Sequence, residues 1–155
     1  MEIQARRNCH ELSRNYNHWN GAHINQKRPP VYKLTPPAKG MPLGTPWTET
    51  VLHFFTSGAD GSDPEGGVIF DRSGALYGTT SSGGAGWGAV FKLTPSAHHG
   101  NPWTKTVLHN FSSAPDGANP LSGLIFDRHD RLYGTTAHGG SVSNGGNGTV
   151  FRVDQ

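Results

Sequence analysis

A chain of 155 residues is long enough for one domain, and with 33% hydrophobic residues, 22 glycines and 11 prolines only a regular pattern of apolar side chains argues against disorder. The net charge of +2 is uneven: Arg6, Arg7, Arg14, Lys27 and Arg28 against Glu2 and Glu11 put +3 on residues 1–30 and leave −1 on the rest, which excludes a basic nucleic-acid surface there. The single Cys9 excludes an intrachain disulfide framework, no apolar run is long enough to span a membrane as a helix, and none follows the basic N-terminal residues as a signal peptide requires.

Residues 1–30 share no motif with the remainder of the chain. Rich in Asn, Arg and His, they end in Arg28-Pro29-Pro30, a stiff extended junction, and read as a disordered leader. Cys9, His10, His18 and His23 are residue types that bind zinc, but one cysteine and irregular spacing do not make a zinc pattern.

After the leader comes Val31-Tyr32-Lys33-Leu34, and then a segment, 46–84, that recurs at 102–140 with 24 of 39 positions identical. Each copy leads through a glycine-rich stretch into a close relative of the first motif, VFKL at 90–93 and VFRV at 150–153. The chain therefore divides after residue 30 into two tandem units, 31–94 and 95–155, and reads as an excerpt of a longer array.

Within a unit four strands are predicted between turn signals. The first covers 47–55 and 103–111; strict alternation puts Trp47, Val51, His53 and Phe55 on one face and Thr48, Thr50, Leu52 and Phe54 on the other. Two apolar faces call for a strand between packed layers. Glu49 in one copy and Lys105 in the other read as a water-facing position, the change of sign arguing against an ionic site. After the Asp60-Gly61 or Asp116-Gly117 turn, residues 67–71 and 75–80 form a hairpin through Asp71-Arg72-Ser73-Gly74, whose glycine takes the positive φ of a type I turn plus bulge. Asp130 tolerates the same conformation in the second copy. A last strand, 89–93, follows the Gly83-Gly84 pair.

Four short antiparallel strands per unit at a period of about 56 describe an all-β chain, a partial β-propeller of two blades plus one extra strand; a β-sandwich of two four-stranded sheets is the alternative. The LYGTT, glycine-pair and V-F-[KR]-[LV] elements, over 31–153, resemble the GloVer tandem repeat of the "choice-of-anchor" bacterial proteins. That resemblance implies architecture and a location outside the cell or at its surface, with no functional residues to carry over, while symmetric units without asymmetric polar residues point to a non-enzymatic scaffold or binding domain. More remotely, FDRSGALYGTT looks like the hairpins of lactonase and streptogramin-lyase propellers.

Candidate chemical residues are few. His53 and His109 stand at equivalent strand positions and read as structural, each satisfied by a hydrogen bond. Asp60, Asp63 and Glu65 resemble a calcium loop, but the second copy has Asp116, Asn119 and Leu121, and turn chemistry explains the pattern. Asp71 and Asp127 read as turn caps. No metal, cofactor or catalytic set is expected. Trp47, Trp87 and Trp103 are the candidate ligand-binding residues, as aromatics on which a sugar could stack in the lectin alternative; a lyase- or lactonase-like enzyme is the third reading. The expected partners are a protein or glycan ligand, with no nucleic acid and no membrane insertion, and self-association through open blade edges.

Overall fold

Backbone-satisfying ladders, not helices, organise this chain, as its short β-branched and aromatic runs between glycine turns require. The computed structural model describes residues 2–4, 30–98, 101–141 and 146–154, the first three by backbone alone; Cys9, His10, His18 and His23 lie outside the described residues. The strands are β1 (Glu2–Gln4), β2 (Pro30–Thr35), β3 (Thr48–Phe54), β4 (Ile69–Phe70), β5 (Leu76–Thr80), β6 (Gly83–Gly84), β7 (Trp87–Thr94), β8 (Thr104–Asn110), β9 (Ile125–Phe126), β10 (Leu132–Thr135) and β11 (Val150–Val153). Among the described residues the only helical element is one 3-10 turn at Gly58–Asp60.

These strands build three sheets, β1-β2-β3, β4-β5-β7-β8 and β9-β10-β11, rather than the two of a small sandwich. Pairing is antiparallel except where β6 runs parallel to the head of β7. The middle sheet straddles the sequence repeat. Its hairpin and β7 come from the first copy, but β8 belongs to the second and pairs with Lys92 opposite Thr106 and Leu93 opposite Lys105. β3 joins β2 in the same register, with Lys33 opposite Thr50 and Leu34 opposite Glu49. Each V-L-H strand thus closes the sheet ahead of it. In the first sheet β1 takes the slot of the LYGTT strand, since Glu2 faces Leu34 as Leu76 faces Leu93.

The strict alternation expected in β3 and β8 is broken by a bulge. The register jumps from Val31↔His53 to Tyr32↔Val51, and again from Val90↔His109 to Phe91↔Val107. An extra residue in one strand of a pair locally re-aims its side chains. Leu52 and Phe55, expected on opposite faces, therefore share one core while Phe54 stays exposed.

Two cores of the same design lie between successive sheets. The first joins Val31, Leu52 and Phe55 to Leu76, Phe91 and Leu93; the second joins Tyr77, Val90 and Phe111 to Leu124 and Leu132, with Phe151 and Val153 partly buried against it. Phe55 meets Phe91 edge to face at 5.1 Å, and Phe111 meets Phe151 at 5.0 Å. The glycine of each LYGTT strand is required by this packing. A Cβ on Gly78 would stand 2.7 Å from the Phe91 ring, and one on Gly134 2.4 Å from Phe151. The hairpin turns carry the expected backbone, with φ of +85° at Gly74 and +59° at Asp130.

The copies differ at one buried hydroxyl. Thr136 Oγ1 donates to the His138 carbonyl at 2.9 Å and meets Thr149 Oγ1 at 2.9 Å. In the first copy Ala89 stands where Thr149 does, and Thr80 Oγ1 is buried without a partner. An unsatisfied buried hydroxyl costs free energy that a satisfied one does not. Thr80→Val is therefore expected to leave stability unchanged or raise it by about 1 kcal/mol, whereas Thr136→Val lowers it by about 1–2 kcal/mol, read from denaturant midpoints.

Candidate functional site

One set of polar side chains common to both copies is assembled where β3 and β8 run into their following turns. His53 Nε2 lies 3.1 Å from Asp60 Oδ1, and His109 Nε2 lies 3.0 Å from Asp116 Oδ2, seven residues on in each case. The carboxylate also accepts the turn backbone: Thr56 N–H donates to Asp60 at 2.7 Å, and Ser112 N–H to Asp116 at 3.1 Å. Each imidazole stands edge-on to the next aromatic, Phe55 at 4.9 Å or Phe111 at 4.8 Å. Each histidine thus has a hydrogen-bond partner, and that partner is a carboxylate.

The hydroxyls beside each pair bond to the carboxylate. Thr56 Oγ1 donates to Asp60 at 3.0 Å and Ser112 Oγ to Asp116 at 3.4 Å, so these hydroxyls bond to the acid instead of standing on the imidazole as nucleophiles must. Within the calcium-like pattern the Asp60 carboxylate serves the histidine, and the backbone carbonyl of Asp63 accepts the Ser81 N–H at 3.0 Å. Asp71 caps its hairpin through the N–H groups of Ser73 and Ala75 at 2.8 and 2.9 Å, and Asp127 does so through His129 and Arg131. Tyr77 and Tyr133 hydroxyls donate to the same two carboxylates.

Lys105 overturns the water-facing expectation. Its side chain is only 7% exposed, and its ammonium donates to Asp60 Oδ1 at 2.8 Å and to the Asp60 carbonyl while lying over the Phe55 ring at 5.2 Å. The reason is that β8 lies in the second sheet and reaches back to the turn after β3 in the first. One lysine thereby ties two units together across 45 residues of sequence. Glu49 stands at the matching place in β3, opposite Leu34 of the first sheet.

The tryptophans occupy different settings. Trp47, before β3, is 52% exposed, and Trp87, at the head of β7, is 46% exposed. Trp103 is half buried, packs on the first core and lines an open groove of about 410 Å³ with Thr50, Leu52, Phe54, Asn101 and Pro102; neither Trp47 nor Trp87 lines it. Trp47 stands at the position equivalent to Trp103 in the first copy and is the more exposed of the two. The His-Asp pairs were findable in sequence, because both members recur at the same spacing; the lysine clamp was not.

Burial by itself pushes Asp60 upward, but hydrogen bonds from Lys105 and the Thr56 amide, with the neighbouring His53 and Lys105 charges, hold its carboxyl down to about 2. Burial lowers His53, only partly offset by Asp60. Both groups are depressed in the folded state, so each contributes stability above its unfolded pKa. Stability is expected to fall as the pH drops below 6.5, where His53 resists protonation. A further loss of about 2 kcal/mol is expected between pH 4 and pH 2 as Asp60 is neutralised, measured by chemical denaturation across pH. Lys105→Ala is expected to cost about 3 kcal/mol by stranding Asp60, while Arg152→Ala, breaking the exposed 2.9 Å pair with Asp154, changes stability by less than about 0.5 kcal/mol.

No curated protein and no solved structure matches the chain. The Gloeobacter/Verrucomicrobia repeat, by contrast, matches residues 19–155, the same repeat type that the LYGTT, glycine-pair and V-F-[KR]-[LV] elements resemble. With nearly all of the described strands inside that span, the chain belongs to the Gloeobacter/Verrucomicrobia repeat family.

Proposed function

We propose that this chain is a non-enzymatic scaffold of repeat units that displays binding surfaces outside the cell, its successive sheets standing as blades of a β-propeller. The observation that carries the reading is the use made of its polar groups. The shared histidines, aspartates and tyrosines are spent on the same internal bonds in both copies, His53–Asp60 and His109–Asp116 in the turns, Asp71–Tyr77 and Asp127–Tyr133 in the hairpins. Catalytic sites place unlike groups in an asymmetric cleft, whereas folding requirements repeat with the fold. Three sheets joined face to face by equivalent cores support the blade arrangement, since repeat units that contact only their neighbours bury a continuous core by stacking. Partners in this reading are protein or glycan ligands taken on surface residues, with uncovered sheet edges as further contact surfaces.

A glycan array and a lactonase and lyase screen on the full chain test the proposal. The expected result is no turnover and no glycan signal that depends on the tryptophans. A sugar bound by the chain and lost in Trp47→Ala or Trp87→Ala would replace it with the lectin reading; turnover lost in His53→Gln or His109→Gln would replace it with an enzyme. Protease treatment of intact cells checks the location, with cleavage of the chain expected and protection counting against it.

A further inference from the structure

The three sheets are unequally complete. β2 and β7 each have a V-L-H strand along one edge, β3 and β8, but among the described residues β11 pairs with β10 alone. The consequences are visible side chain by side chain. Phe91 and Leu93 of β7 are fully buried, while Phe151 and Val153 of β11 are only partly covered. On the outward face Val90 is 0% exposed and Val150 80%, and Ile125 is 67% exposed where Ile69 packs on a core.

The electrostatic half of the interface is also unfilled. Asp116 holds His109 and the Ser112 amide as Asp60 holds His53 and Thr56, yet no lysine or arginine among the described residues reaches it, whereas Asp60 receives Lys105. Phe111 and Phe151 meet at 5.0 Å beside Asp116 as Phe55 and Phe91 meet at 5.1 Å beneath the Lys105 ammonium.

We infer that β11 is a docking edge for the V-L-H strand of a further repeat unit with lysine at the position of Lys105. Carrying over the β7–β8 register, the incoming histidine lies opposite Val150, the valine opposite Phe151 and the lysine opposite Val153. The lysine then reaches Asp116 over the Phe111 and Phe151 rings, and the tryptophan ahead of it covers the second core as Trp103 covers the first. Strand addition to an open edge supplies affinity through the main chain and specificity through alternate side chains. The charge of Asp116 selects among strands. In a second copy of this chain both V-L-H strands are already paired, β3 with β2 and β8 with β7, so the incoming strand is that of a further unit. The inference rests on the scaffold reading and names its partner.

Labelled peptides titrated against the full chain by fluorescence anisotropy test it. The sequence of residues 102–113 is expected to bind and to protect the amides of Val150–Val153 from hydrogen exchange. The same peptide with Lys105→Glu, and the peptide of residues 46–57, are expected to bind roughly tenfold more weakly, the equivalent of one lost charge-assisted contact. Asp116→Asn in the full chain should abolish that discrimination while leaving the melt cooperative. Absence of binding, equal binding of the lysine and glutamate peptides, or protection elsewhere than β11 overturns the inference. The peptide comparison uses the unaltered chain, so it decides even if Asp116→Asn fails to fold. Such a failure, with the glycan and turnover screens still negative, leaves the scaffold reading standing.

Discussion

The fold depends on a strand given away: the V-L-H segment of each repeat leaves its own hairpin and closes the sheet built by the residues before it. β8 completes the sheet of β4, β5 and β7, and β3 pairs with β2 in the same register. Because the pairing crosses the repeat boundary, no single copy of the sequence is a closed unit, and continuity between sheets is carried by backbone hydrogen bonds as well as by side-chain packing. A chain organised this way passes one strand across the repeat boundary. It also has internal interfaces that are near duplicates, since each must bury the same Val, Leu and Phe set.

The polar network follows from that exchange. A strand that enters the neighbouring sheet arrives beside the turn of the previous V-L-H strand, and the carboxylate there serves two masters. It holds its own histidine and turn amide, and it receives the lysine of the incoming strand. A nearly buried ammonium tolerates this place because an anion, a carbonyl and two aromatic faces surround it. Keeping the same His-Asp pair in both copies builds the same turn twice, the carboxylate holding the imidazole and the turn amide in each.

Local features were legible in the residues themselves. The hairpin caps at Asp71 and Asp127, the positive φ at Gly74 and Asp130, and the strands between glycine turns all follow from backbone preferences that act over a few residues. Strict alternation failed at Leu52 because a bulge is set by the partner strand, not by the strand's own pattern. Lys105 was misread for a similar reason. Its burial depends on Asp60, 45 residues away, and a change of sign between copies reads as a solvated position as long as each strand is considered alone.

By itself, then, the sequence determined the repeat, its strands, its turns and its all-β class, because these depend on short-range sterics and on a periodicity that two copies make visible. Only the tertiary structure decided which strand closes which sheet, where Lys105 and the three tryptophans stand, and which faces remain uncovered. Those properties arise from pairings between residues distant in the chain, and positions with the same local preferences part company through them: Trp103 packs on the first core, whereas Trp47 is 52% exposed.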